Sequence, residues 1–303
     1  MFKRTRLGRR LRHLLIYPVE AALIHLFYHV FAWLPIDAAS ALGGWLGRLI
    51  GPLLSRSRQA MCNLERALPE LTAAQRHIIL RGMWDNLGRT MAEHPHLARI
   101  WNDRDTGRLE VTGAEYLPKP AAGEHRPCLI FSGHIGNWEL LPVAASGLGL
   151  VVTSVFRQPN NPMLNRLMIG GRHAGQGRLV PKGREGARQL FTALTKGDAV
   201  AMLVDQKMND GIAVPFFGHS AMTAPALAQL ALKFRCPVLP TRIERLGGAR
   251  FRLSVLPPFE IANTGNRELD IQTFMTAVNQ QLESWIREHP EQWLWLHHRW
   301  PSA

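Results

Sequence analysis

Pro127-Cys128-Leu129-Ile130-Phe131-Ser132-Gly133-His134-Ile135-Gly136-Asn137-Trp138-Glu139 is an apolar run that breaks off between two glycines. PCLIFS has no alternation, so it reads as a strand covered on both faces, which is the environment of a parallel strand. Gly133 and Gly136 then mark a turn, and Asn137 is placed to cap a following helix. Further apolar runs at Leu150–Phe156, Ala199–Val204 and Val238–Ile243 alternate with helical patterns at Glu185–Lys196 and Ala224–Phe234. Strand and helix in alternation predict an α/β fold with a mostly parallel sheet flanked by helices. Leu109–Thr112 starts the strands, Phe251–Leu256 adds one in the antiparallel sense, and Asp270–Glu288 reads as an amphipathic helix.

Upstream, Thr72 with Gln75 three residues on has the form of a capping box for a helix from Thr72 to Ala98, closed by Pro95. Leu14–Leu34 (LLIYPVEAALIHLFYHVFAWL) is roughly 20 residues of apolar character, enough to cross a bilayer, but Glu20, His25 and His29 interrupt it. A second apolar stretch follows from Ala38 to Leu54, with no small-x-small cleavage site between them. A single span behind six basic residues would put the rest of the chain outside the cytoplasm. A shallow hairpin or a pair of interfacial helices keeps both basic flanks on the cytoplasmic face, and a buried helical pair is the soluble alternative. The chain is accordingly divided into residues 1–58, a basic and apolar membrane-associated helical segment, and residues 59–303, a single α/β domain.

The 303 residues are 46% apolar, ample for a core, and carry a net charge of +13 that favours phosphate-rich or anionic partners. Residues 1–60 hold nine Lys/Arg against Glu20 and Asp37, a net +7. These bases flank apolar stretches, as beside anionic headgroups, and do not interleave with aromatics as in a nucleic-acid face. Cys62, Cys128 and Cys236 are far apart, with neither metal nor disulfide spacing. No metal site and no cofactor are expected.

His134 and Glu139 are the candidate chemistry. Five positions on a continuous helix are about 140° apart, so the two do not share a helical face. With His134 in the turn, Glu139 in the first helical turn can curl back toward the imidazole. A carboxylate on one ring nitrogen fixes the tautomer and makes the other nitrogen a proton acceptor. If a substrate brings its own hydroxyl, no nucleophile from the protein is needed. Backbone N–H groups of the turn, around Gly133 and at the helix start at Asn137, are the first candidates to hold a developing oxyanion.

SGHIGNWE resembles the HxxxxD/E box of glycerolipid acyltransferases, and its surroundings resemble the bacterial lipid A lauroyl/myristoyl acyltransferases. Further blocks agree in order: Phe156-Arg157-Gln158-Pro159-Asn160-Asn161-Pro162, Gly171-Arg172, Asp205 in LVDQ, Pro215-Phe216-Phe217-Gly218, and Pro290–Arg299 (PEQWLWLHHR). His298 stands where the family's closing signature has a basic residue. The resemblance implies a glycerolipid-acyltransferase-like fold and acyl transfer from a phosphopantetheine thioester on acyl carrier protein, or from acyl-CoA, to a lipid A precursor. It further implies the cytoplasmic face of the bacterial inner membrane as location and anionic lipid as a neighbour. His134 and Glu139 are then catalytic, and Arg157, Arg172, Asp205, Asn137 and Gly133 bind substrate. Read without the resemblance, each arginine is first a solvated surface charge, and Asp205 is equally a turn cap. Trp293, Trp295 and Trp300 fit a membrane interface, an acyl pocket or a core. Acylation of a phosphatidylinositol mannoside or a lysophospholipid, and a non-catalytic basic membrane binder, remain the alternatives.

Overall fold

The computed structural model of the chain describes residues 12–118, 126–156, 161–164 and 178–300. A π-helical turn at Arg12–Ile16 leads into α1 (Tyr17–Trp33), followed by α2 (Ile36–Ile50), α3 (Arg56–Ala67), α4 (Ala73–Glu93) and α5 (Leu97–Asn102). The capping box is present at the start of α4: the Gln75 N–H donates to Thr72 Oγ1 and the Thr72 N–H to Gln75 Oε1. The helix stops at Glu93, before Pro95, which sits in a short 3-10 turn. Helix α3 runs through residues 58 and 59, so the expected division falls inside an element and not in a linker.

Glycines bring α2 onto α4. A Cβ on Gly47 would lie 2.1 Å from the Trp84 carbonyl oxygen, and one on Gly88 the same distance from that of Gly43. Only backbone against backbone fits such an approach. Because its small residues face the domain, α2 turns Leu42, Trp45 and Leu49 outward, with Leu53 following them. Helix α1 is largely exposed, yet it touches the body at both ends. Asn161 Nδ2 donates to the Tyr17 carbonyl oxygen (2.8 Å) and to Glu20 Oε2 (3.2 Å), and His96 Nε2 lies 2.9 Å from the Phe31 carbonyl oxygen. Those contacts are about 21 Å apart along the helix, at 1.5 Å per residue.

Among the described residues seven strands form the main sheet: β1 (Leu109–Thr112), β2 (Cys128–Ser132), β3 (Val152–Phe156), β4 (Arg178–Pro181), β5 (Ala199–Leu203), β8 (Val238–Gly247) and β9 (Arg250–Val255). Their order is β1-β9-β8-β2-β5-β3-β4, and every pair is parallel except β8 with β9. Between β5 and β8 the chain makes a separate two-stranded ribbon, β6 (Lys207–Phe216) and β7 (His219–Thr223). Its turn, Phe217-Gly218, has positive φ at both residues, the geometry of a two-residue hairpin loop. Helices α6 (Leu140–Gly147), α7 (Arg184–Thr195), α8 (Ala226–Phe234) and α9 (Arg267–Glu288) cover the sheet. All five residues of β2 are buried, as its unbroken apolar run requires.

The larger core lies on one face, where Leu129, Phe131, Val200 and Val238 meet α9 through Phe274, Val278, Leu282 and Trp285. Trp293, Trp295 and Trp300 belong to this core, at no more than 3% exposure, which settles their role as packing. On the opposite face Ile130, Leu239 and Val255 lie under α6. The α/β class, the parallel sheet and the antiparallel last strand agree with the sequence reading. The edge strand β4 and the β6–β7 ribbon were not expected from it.

Candidate active site

His134 and Asp205 are brought together by strand register. Ser132 pairs with Leu203 where β2 and β5 run side by side and parallel, so the residues two positions beyond each, 134 and 205, emerge as neighbours at the carboxyl edge. Ligand groups in open α/β sheets sit at that edge. The His134 Nδ1–H donates to Asp205 Oδ1 at 2.8 Å, and Asp205 Oδ2 accepts from the His134 backbone N–H and from Trp293 Nε1–H, each at 2.8 Å. Gly133 allows this closeness, since a Cβ there would meet Leu282 at 3.1 Å and Asp205 Oδ2 at 3.4 Å.

With the proton on Nδ1, Nε2 offers a lone pair, and Gln206 Nε2 lies 3.2 Å from it and 3.0 Å from His297 Nε2. Burial opposes a charged imidazole, but the Asp205 charge and hydrogen bond, with the Glu139 charge added, outweigh it and raise the His134 pKa above its ordinary 6.5. Burial likewise opposes ionised Asp205. The His134 charge, its two hydrogen bonds and that of Trp293 prevail, and the carboxyl is held well below the usual carboxylate range.

This geometry reassigns several residues. The carboxylate on the imidazole is that of Asp205, not Glu139. Glu139 accepts from Trp138 Nε1 at 3.1 Å and acts on His134 through its charge. Asp205 is fully buried with both oxygens engaged, and it holds the imidazole in place. Asn137 does not cap α6, whose preceding residue Glu139 makes no side-chain cap; it is fully buried and its Nδ2 donates to Glu93 Oε2 at 2.7 Å. Gly133 serves packing against Asp205. Arg157 and Arg172 lie outside the described residues.

Three of the turn amides are also taken. The N–H of His134 goes to Asp205, that of Ile135 to the Gly133 carbonyl oxygen (2.8 Å) and that of Gly136 to the Gln292 carbonyl oxygen (3.0 Å). None of these three is left for an oxyanion. Gly136 has φ +58°, and a Cβ there would fall 2.1 Å from the Ile243 carbonyl oxygen.

Beneath the turn lies a polar network no spacing rule revealed. Glu93 on α4 accepts from Ser40 Oγ of α2 (2.6 Å), from Asn137, and from Arg245 of β8 through two nitrogens (2.5 and 3.0 Å). Asn86 and Thr90 donate to the Gly136 carbonyl oxygen. From the other side the segment after α9 is stitched to the turn, with Leu294 N–H donating to the His134 carbonyl oxygen at 3.1 Å. Their only sequence signal was the excess of Asn, Thr and Glu on the buried face of α4.

His134 and Glu139 open onto a cavity of about 190 Å³ between the sheet and α6. Its walls are apolar, with Ile130, Ala201, Leu203 and Val255 from strands and Leu141 and Ala145 from α6. An oriented base at the mouth of a greasy slot suits a hydroxyl attacking an acyl group whose tail is buried. Residues 7–302 match the family model for bacterial lipid A biosynthesis acyltransferases. The chain belongs to this family. A lipid A biosynthesis palmitoleoyltransferase and a lipid A biosynthesis lauroyltransferase of Escherichia coli are each 26% identical to the acyltransferase described here, over 89% of its length and 87% of theirs. A lipid A biosynthesis acyltransferase of Haemophilus influenzae is 24% identical over 89% of this chain and 84% of its own.

Proposed function

We propose that this acyltransferase moves a fatty acyl group from a thioester, carried on acyl carrier protein or on coenzyme A, to a hydroxyl of a lipid A precursor. The observation that carries the reading is the His134–Asp205 pair at the mouth of the apolar cavity. His134 Nε2 takes the hydroxyl proton as the oxygen bonds to the thioester carbon. The C–S bond of the tetrahedral intermediate then breaks, and the imidazolium returns the proton to the departing thiolate. Asp205 stabilises the imidazolium throughout, and Glu139 adds to the negative field. Arg157 and Arg172 are proposed to grip a phosphate of the acceptor or of the donor arm, for which a guanidinium fork is suited. The names of the E. coli relatives, a lauroyltransferase and a palmitoleoyltransferase, support a fatty acyl donor.

The purified protein would be offered acyl carrier protein and coenzyme A thioesters with a lipid A precursor bearing free 3-hydroxyacyl groups. Mass spectrometry should show the precursor gaining one acyl chain. Acylation confined to a lysophospholipid or a phosphatidylinositol mannoside would overturn the acceptor.

The proposed setting is the cytoplasmic face of the inner membrane, with α1 and α2 in the plane of the bilayer surface. Contacts at both Tyr17 and Phe31 lay α1 along the domain, and the outward row Leu42, Trp45, Leu49 and Leu53 extends the same apolar face. Arg48 and Arg81 border it, as interfacial segments place cations beside anionic headgroups. Nitroxides at Val19, Leu23 and Val30 in anionic vesicles should all report shallow depths. A span would instead give a steady change of about 16 Å over those 11 residues, and labels untouched by lipid would remove the membrane from the proposal.

A further inference from the structure

Arg299 is fully buried, and among the described residues its guanidinium reaches no carboxylate. Nη1 donates to the Met222 carbonyl oxygen (3.1 Å), and Nη2 to Thr223 Oγ1 (2.8 Å) and Asn279 Oδ1 (3.4 Å); Nε has no partner among the described residues. Its flat face lies over Phe216, 4.7 Å from the ring centroid. Phe216 packs edge-on against Trp293 at 5.8 Å, and Trp293 donates to Asp205. A buried cation and a buried anion are thus separated by two aromatic rings that are themselves within 1% of full burial. Neutral donors would tie β7 to α9 equally well without placing a charge in the core, which is costly when unpaired.

We propose that Arg299 is a positioning residue of the acyltransferase site, whose charge acts through the Phe216–Trp293 layer on Asp205 and so governs how readily His134 gives up its proton. This rests on the reading of His134 as the base. Across a dry aromatic layer a charge is weakly screened, so the influence reaches well beyond contact distance. Asp205 and Glu139 both favour the imidazolium, the form that must lose its proton before His134 can act as a base. Arg299 opposes them. Burial lowers the Arg299 pKa to about 10 although the Asp205 charge supports it, consistent with a cation held in place by its anion at a distance. The other ionisable groups around the pair are Glu139 before α6, Lys207 at the start of β6, and His297 beside Gln206. Behind the aromatics, Glu283 accepts from the Phe217 N–H and Arg287 lies over the Phe217 ring.

Three variants test the inference: Arg299→Met removes the charge, Asn279→Asp neutralises it in place, and Arg299→Lys retains it. In the first two, the acid limb of kcat/KM and the His134 imidazole titration, assigned by nuclear magnetic resonance against His134→Ala, should both move to higher pH by about half a unit or more. Arg299→Lys should leave both where the wild type has them. A structural pin would change expression or turnover without moving either titration. Should Arg299→Met not fold, Asn279→Asp and Arg299→Lys decide. An unmoved His134 titration in whichever charge-altered variant folds overturns the proposal, as does a lysine variant that shifts as far as they do. If activity instead survives in His134→Ala while the imidazole titration still moves, the reading of the base has failed and the electrostatic coupling stands.

Discussion

His134→Ala is expected to lower kcat by about 10²–10⁴-fold, the usual contribution of a positioned base. Asp205→Asn should come close to it. An amide in place of the carboxylate can donate toward Nδ1, which favours the wrong tautomer and leaves the imidazolium without its counter-charge. Because the two act as a unit, the double variant should be little worse than either single one. Glu139→Gln behaves differently: removing a charge that raises the His134 pKa moves the acid limb to lower pH. In the wild type that limb should lie above the ordinary imidazole value of 6.5. Circular dichroism establishes folding and initial rates measure the effect. An active Asp205→Asn enzyme beside an inactive Glu139→Gln enzyme would return the orienting role to the residue the motif suggests.

The largest loss of stability is expected from Glu93→Ala. This carboxylate is fully buried, and Arg245, whose side chain is 7% exposed, depends on it for charge balance. Removing one member of a buried pair leaves the other uncompensated, at a cost of about 3–5 kcal/mol. The hydroxyl of Ser40 and the amide of Asn137 lose an acceptor at the same time. Urea unfolding in detergent should show the midpoint falling sharply. Joint replacement of Glu93 and Arg245 by apolar residues should recover part of the loss. A Glu93→Ala midpoint equal to that of the wild type would mean the ion pair contributes nothing.

Much of this could be read from residue order. Periodicity located six of the seven described strands of the main sheet, because short apolar or alternating runs between turn signals leave few other readings. Arg178–Pro181 escaped it, since a four-residue edge strand with one buried position has no pattern to show. The β6–β7 ribbon escaped because Lys207-Met208-Asn209-Asp210-Gly211 is polar and holds its place through tertiary bonds, such as Asn279 Nδ2 to the Pro215 carbonyl oxygen. His134 was legible from its glycine-framed turn. Its partner was assigned by proximity in sequence, to Glu139, whereas the sheet delivers Asp205 from 71 positions away. Strand order is what decides that, and no local spacing encodes strand order.

The stitching of the post-α9 segment to the turn bears on how this molecule comes into being. Trp293 closes on Asp205 across 88 positions, Asn86 on the Gln292 carbonyl oxygen across 206, and Asn63 on the Trp295 carbonyl oxygen across 232. Contacts between such distant positions are slow to form, since so much chain entropy is lost before they are made. A ribosome that has just released β2 and the turn bearing His134 has therefore made only half a site. The imidazole stays without its final brace until residue 293 has emerged, so the pair cannot be complete before the segment that follows α9 has been made.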